Sequence, residues 1–483
     1  METFILILYF FSLCVLFAFG MHGAFMLYYY LKTEHTHPVN HGLPKDLPQV
    51  TIQLPLFNEL YVIERLIESV CKIKYPKDKM EIQVLDDSTD ETQQIAQNLV
   101  KKFSEEGFDI KYIHRTNREG YKAGALKAAL DVAKGEFVAI FDADFVPNED
   151  FLIDTIPYFE KPEIGMVQTR WKHLNENYSF LTRTQALNLD GHFCMEQQAR
   201  NKGGFFINFN GTAGIWRKET IYDAGNWQAD TITEDMDLSY RAQLKGWKFV
   251  YLNDVTSPAE LPADINSLKA QQFRWTKGSI ETGKKILPKV FRAKLPLKVK
   301  MESLYHLSSN IVFPFIVLVA ILNVPIVLLK EHYPELGTYY NIMAVFVIAS
   351  ISTFLFILYG QKSINLDWRK RVLLFPVFLA GSMGLSVSNS KAVFEALMNK
   401  KSGFVRTPKF KIEKDNDSWK AKKYQPAKIS GVVWLEIALA VYYIFGIGVS
   451  IYYAEIAAIP FQLMFLLGFG TVGYLSLKHA LGR

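Results

Sequence analysis

The chain has 483 residues, with Lys+Arg 54 against Asp+Glu 48, a formal charge of +6 that is too mild to argue for a nucleic-acid partner. Apolar and aromatic residues make up 49% and charged residues only 21%, which excludes a disordered chain and is high for a soluble enzyme. Cys14, Cys71 and Cys194 lie far apart without metal-ligand spacing, so neither a disulfide framework nor structural zinc is expected.

Residues 4–31 carry no formal charge and are long enough to span a bilayer, which takes about 20 apolar residues. The run lacks a basic start and ends in Tyr28-Tyr29-Tyr30-Leu31-Lys32, an interfacial pattern that reads as a membrane anchor rather than a cleaved leader. From Lys32 to about residue 300 the pattern becomes that of a soluble α/β domain. Strands are expected at Val50–Leu54 (ended by Pro55), Ile82–Leu85, Ile110–Ile113 and Phe137–Phe141. Helices are expected at Glu59–Lys72, Glu91–Lys102 and about Lys122–Lys134. This alternation predicts a mostly parallel sheet with helices on both faces, whose ligand sits at the carboxyl ends of the strands.

Two acidic pairs fall on that edge. Asp86-Asp87 follows the second strand and Asp142-Ala143-Asp144 follows the fourth. Neighbouring carboxylates on a strand-to-loop turn suit Mg²⁺ or Mn²⁺, which take oxygen ligands from one or two carboxylates and substrate phosphates; the plainer reading is a turn or a helix cap. Neither GxGxxG nor GxxxxGK[ST] occurs, so a bound nucleotide would depend on carboxylates, a metal and basic side chains. Thr233-Glu234-Asp235 opens a further helix, where acidic residues also complement the dipole. Residues 264–300 mix apolar side chains with Lys and Arg, as in a helix lying in the headgroup plane. On it stand Gln271, Arg274 and Trp275. Arginine suits a diphosphate and tryptophan suits a sugar ring, although an interfacial Trp with a snorkelling Arg is equally natural.

Apolar runs return near 307–329, 339–360, 372–391, 430–453 and 457–480, the last two as a tight hairpin. The 361–371 loop carries Lys362, Arg369, Lys370 and Arg371, and residues 391–428 carry eleven Lys/Arg against four acids. Both stretches read as cytoplasmic, which is incompatible with a single crossing at 372–391. That run is the most polar of the five. It is expected to be interfacial or re-entrant, or to merge into an amphipathic helix through about 400.

Asp86-Asp87, Asp142-Ala-Asp144, Thr233-Glu-Asp235 and Gln271-x-x-Arg-Trp275, in this order before a membrane bundle, resemble the processive family 2 glycosyltransferases: cellulose, hyaluronan and glucomannan synthases. Leu54-Pro-Leu-Phe-Asn-Glu59 and Gly120-Tyr-Lys-Ala-Gly-Ala-Leu126 look like two more of their segments. Phe404-Val-Arg-Thr-Pro-Lys409 is similar to the gating loop of cellulose synthase, with Arg406 in place of the usual Val. The resemblance covers about residues 48–410. The plan looks nearer to the glucomannan-synthase branch, since one helix precedes the catalytic segment and no cyclic-dinucleotide-binding segment follows the last apolar run.

The resemblance implies a GT-A type catalytic domain, with a mostly parallel Rossmann-like sheet, fused to a helical transmembrane bundle with amphipathic interface helices. The expected divisions are a transmembrane helix at 1–32, a cytosolic catalytic domain at 33–262 and interface helices at 263–304. A bundle at 305–483 follows, with a cytosolic gating loop at about 392–428. The implied chemistry is inverting transfer of a hexose from UDP-glucose or GDP-mannose to a growing β-linked polysaccharide, with the polymer leaving through the membrane. Asp235 is then the base. Asp142 and Asp144 hold Mg²⁺ or Mn²⁺, and Asp86 and Asp87 hold the nucleoside. Lys122, Asp142, Arg274, Thr407 and Lys409 attend the diphosphate. Trp275, Gln271, Glu234, Thr233 and the Asn210-Gly211-Thr212 loop meet the acceptor. The location implied is multi-pass in the cytoplasmic (inner) membrane, in contact with lipid. A non-processive enzyme that adds one sugar to a lipid would share most of these motifs. A channel with an inactive domain would not need them.

Overall fold

The computed structural model describes residues 2–481, apart from Ser402, Phe404, Val405, Asp415, Ala421 and residues 425–428. Phe404 and Val405 of the expected gating loop therefore lie outside the described residues.

Seven strands form one sheet: β1 Val50–Leu56, β2 Met80–Asp86, β3 Asp109–His114, β4 Phe137–Ile140, β5 Ile164–His173, β6 Gly214–Arg217 and β7 Lys248–Ala259. Their order is β3-β2-β1-β4-β6-β5-β7, parallel throughout except for β6, which runs antiparallel to both neighbours. β1, β2 and β4 are almost wholly buried, and their near-continuous apolar runs are what a sheet covered on both faces requires.

The expected strands all form, with one informative extension. β1 runs past Pro55 to Leu56, because Pro55 lies on the side where β4 has already ended. Gln53, two residues earlier, is the last to face β4 within the ladder, so the missing N–H of Pro55 breaks no strand pairing. The first expected helix is shorter than its apolar pattern, Ile63–Val70, since residues 59–62 form a turn that carries Glu59 towards the strand ends.

The interface helix Ile265–Arg292 starts at Asp264, whose side chain accepts from the N–H groups of Asn266 and Ser267. It docks on the last two helices, Val432–Tyr452 and Ile459–Ala480, through a buried Lys269–Glu436 pair at 2.7 Å and the Asn266 Nδ2 to Ser476 O bond at 3.2 Å. Those two helices form the expected hairpin, stacked through Tyr443, Phe465 and Phe469.

Six helices among the described residues are long and apolar enough to cross a membrane: Glu2–Thr33, Leu297–His332, Gly337–Ile364, Trp368–Leu397, Val432–Tyr452 and Ile456–Ala480. The fourth differs from the rest. Its helical core Phe375–Leu397 is unbroken, so it is no re-entrant loop, and both ends meet the catalytic side of the molecule. Before it, Arg371 pairs with Glu176, and Phe375 packs near Leu187. After it, Lys277 of the interface helix donates to the Lys400 carbonyl at 2.6 Å. The stretch before this helix therefore meets the sheet domain, and the stretch after it meets the interface helix. At the opposite end of the bundle Glu2 accepts from Tyr333, and Lys330 pairs with Glu455 at 2.6 Å.

Candidate active site

The parallel strands deliver their carboxyl ends to one edge, as such sheets do. Along it a cavity opens, walled by Glu59 after β1, Asp87 after β2, and Asp142 and Asp144 after β4. The opposite wall is the helix start Thr233-Glu234-Asp235 together with Gln271, Arg274 and Trp275 of the interface helix. Lys122, Asn210 and Gly211 line the floor, and Arg406, Thr407 and Lys409 cover it.

Most residues expected at the site are thus brought together. Two are not at the cavity wall. Asp86 is fully buried, and its carboxylate accepts from the Tyr112 hydroxyl at 2.7 Å and the Ser88 N–H at 2.9 Å. Thr212 is also buried; its Oγ1 accepts from the Asp142 N–H at 2.9 Å and so fixes the turn that carries the aspartate pair. Asp87 does face the cavity and is clamped by Arg115 through Nε at 2.9 Å and Nη2 at 2.5 Å. The bidentate fork holds one carboxylate geometry where a longer, freer cation would not.

Asp142 and Asp144 each already hold a cation. Lys122 Nζ sits on Asp142 Oδ1 and also donates to the Gly211 carbonyl at 2.8 Å, while Lys409 Nζ meets Asp144 Oδ2 at 2.5 Å. Among the described residues no group of three or more His, Cys, Asp or Glu is placed to cage a metal. Two carboxylates on one turn fit Mg²⁺ or Mn²⁺ that draws its other oxygens from a diphosphate.

Asp235 and Glu234 stand next to each other, half-buried in the cavity wall. Burial pushes both carboxyls above their usual range, and for Glu234 the charge of Asp235 adds to it. The Met236 N–H donates to Asp235 Oδ1 at 2.8 Å, which leaves Oδ2 facing Gly211. Burial also lowers Arg274 to about 10, countered by Asp142, Glu234 and Asp144, so its guanidinium stays charged at neutral pH.

Two close approaches set the spacing of these groups. A Cβ on Gly211, whose φ is +80°, would lie 3.0 Å from Asp235 Oδ2. Gly211→Ala is expected to move the carboxylate and to lower turnover about 10²-fold, with thermal melting checking that the fold survives. A Cβ on Gly278 would lie 2.4 Å from Thr233 Cγ2, so only glycine lets the interface helix reach the acidic helix start. Gly278→Val should destabilise the protein by about 1–3 kcal/mol, measurable as a lower melting temperature in detergent.

Sequence reasoning gave no role to Glu59 or to Arg406. Arg406 Nε and Nη2 meet Glu59 Oε1 and Oε2 at 2.9 and 3.1 Å, tying the covering segment to the end of β1. Burial raises Glu59 to about 7 against the pull of Arg406. The signal was present, because Glu59 closes the Leu54–Glu59 segment and Arg406 is the one departure from the loop pattern.

A mostly parallel sheet with an aspartate pair at one strand end, facing an acidic helix start, is the GT-A form of a glycosyltransferase. The chain matches the family model described as "Glycosyltransferase like family 2" over residues 48–278. It is 44% identical over 267 residues to glucomannan 4-beta-mannosyltransferase 1 of Cyamopsis tetragonoloba, covering 54% of this chain and 51% of that one. It is 41% identical over 322 residues to probable glucomannan 4-beta-mannosyltransferase 7 of Oryza sativa subsp. japonica, covering 63% and 54%. The chain thus spans about half the length of the curated relatives it matches. Among solved structures it is similar in fold to the mannosyltransferase PcManGT of Pyrobaculum calidifontis in complex with GDP-Man and Mn²⁺. The TM-score is 0.56 at 20% identity, over 81% of this chain and 100% of that one.

Proposed function

We propose that this protein is a membrane-embedded polysaccharide synthase that transfers mannose from GDP-mannose to the end of a β-linked glycan and passes the product through its bundle. The single observation that carries the reading is the convergence of Asp142, Asp144, Asp235, Arg274 and Trp275 on one cavity, with the interface helix as its membrane-side wall. The relatives' names favour mannose as the sugar. UDP-glucose is the competing donor.

In this mechanism Trp275 stacks on the acceptor sugar and holds its hydroxyl towards Asp235. Asp235 takes the hydroxyl proton as the oxygen bonds to the anomeric carbon and the bond from that carbon to the diphosphate breaks, inverting the configuration. Lys122, Arg274, Thr407 and Lys409 hold the departing diphosphate, Lys122 and Lys409 exchanging a carboxylate partner for phosphate. Asp142 and Asp144 would hold a divalent cation, which would neutralise charge on that leaving group. The Arg406–Glu59 pair keeps the covering segment down and water out.

In this reading the catalytic domain lies in the cytosol. Five helices cross, and Phe375–Leu397 lies at the interface, the arrangement that leaves both of its basic flanks inside. Because burial raises Asp235, the base is lost on acidification earlier than an ordinary carboxylate near 4 would be. Turnover is expected to fall as pH drops through the weakly acidic range, and a pH profile of kcat/KM that stays flat down to about 4 contradicts this. Purified protein should extend labelled GDP-mannose into long products that remain bound. A single-sugar glycolipid points to the non-processive alternative.

A further inference from the structure

The floor of the cavity is held from outside by an element that the proposed mechanism does not use. Residues Gly191–Gln197 form a π-helix between two α-helical segments. Its i→i+5 bonding brings residues five apart onto one face, and such insertions are frequent at functional sites. Here the pair is His192 and Gln197, and both reach the segment Asn208–Gly211. Gln197 Nε2 donates to the Asn208 carbonyl at 3.0 Å, and His192 Nε2 lies 3.3 Å from Asn210 Oδ1.

The other ring nitrogen of His192, Nδ1, is 2.6 Å from Glu196 Oε2. Burial works against the charge of Glu196, yet Arg200 and His192 hold its carboxyl well below the usual range. Arg200 in turn bridges Glu196 at 2.5 Å and Glu302 at 2.8 Å, and Glu302 meets His22 of the first helix at 2.8 Å. The two ring nitrogens of His192 thus face a carboxylate on one side and the Asn210 amide on the other, which fixes the plane of the ring.

The Asn208 side chain settles which way the Asn210 amide faces. Asn208 Nδ2 donates to the Phe209 carbonyl at 3.1 Å and to Asn210 Oδ1 at 3.0 Å, so turning the Asn210 amide over would set its NH₂ against an N–H group. Asn210 Nδ2 is buried and has no partner among the described residues, although Asn210 lines the cavity next to Gly211 and Asp235. A buried donor without a partner is costly, and a sugar hydroxyl at this wall would satisfy it.

We propose that His192, held by Glu196, and Gln197 are positioning residues for the acceptor sugar: they pin the Asn208–Gly211 segment and aim the Asn210 amide so that its Nδ2 donates to an acceptor hydroxyl. The inference rests on the glycosyl-transfer reading above.

The test uses the full chain in detergent with GDP-mannose and β-1,4-mannohexaose. Asn210→Ala and His192→Ala are each expected to raise the acceptor KM about three- to tenfold, the worth of one hydrogen bond, with the donor KM unchanged. The double variant should be no worse than Asn210→Ala alone, since one residue acts through the other. His192→Gln, which keeps an N–H for Asn210, should recover most of the loss and stands in if the alanine variant fails to fold. An acceptor KM equal to wild type in His192→Ala, an additive double variant, or a shift in the donor KM overturns the inference. A wild-type protein that transfers no sugar from either GDP-mannose or UDP-glucose overturns instead the reading beneath it.

Discussion

Asp235→Asn is expected to reduce sugar transfer about 10³-fold while donor binding survives, because the amide keeps the size of the carboxylate and loses only its ability to take a proton. The position makes this more than a motif argument. Asp235 is half-buried at the start of Glu234–Leu244, its Oδ1 is held by the Met236 N–H, and its Oδ2 faces the Gly211 loop. A carboxylate that only capped the helix would face the first-turn amides and solvent, and its loss would cost about 0.5–2 kcal/mol of stability with no special effect on turnover. Comparing melting temperature with kcat separates the two roles. A variant that transfers sugar normally leaves the protein with binding or transport only.

Arg274→Ala is the second large effect, expected at about 10²–10³-fold in kcat, the usual cost of removing one preorganised donor from a developing anion. Its guanidinium lies among Asp142, Asp144 and Glu234, whose charges offset the burial penalty. Taking it away also removes positive charge from the carboxylates, so the acid limb of the pH profile should move to higher pH. Arg274→Lys should recover part of kcat, since a point charge replaces the planar fork. A kcat within twofold of wild type in Arg274→Ala would remove this residue from leaving-group stabilisation.

Much of this site was legible in the sequence because its parts are local. An aspartate pair after an apolar strand, an acidic helix start and an Arg-Trp step on an amphipathic helix each announce a position, and a parallel sheet dictates that strand ends share one edge. Asp86 and Asp87 show the limit of such reasoning. They are adjacent, yet one turns inward to Tyr112 and Ser88 while the other faces the cavity, a choice made by contacts from β3 that no pattern in residues 86–87 contains. β5, β6 and β7 escaped prediction for a related reason. β6 has only four residues and runs against its neighbours, so no strand–helix alternation marks it. Glu59 and Arg406 are 347 positions apart, and only the folded chain pairs them.

The helix Phe375–Leu397 carries a lesson about membrane reading. Length and hydropathy alone make it a span, whereas the basic charges on both sides argue that it does not cross. The contacts of Arg371 with Glu176 and of Lys400 with Lys277 tie its two flanks to the sheet domain and to the interface helix.

The most direct measurement is incubation of the purified full chain with radiolabelled GDP-mannose and Mn²⁺, followed by size fractionation and β-1,4-mannanase digestion of the product. The account predicts enzyme-bound chains of many sugars that the mannanase degrades and that vanish in Asp235→Asn. Absence of any transfer from GDP-mannose and UDP-glucose alike, or undiminished product in Asp235→Asn, would contradict it.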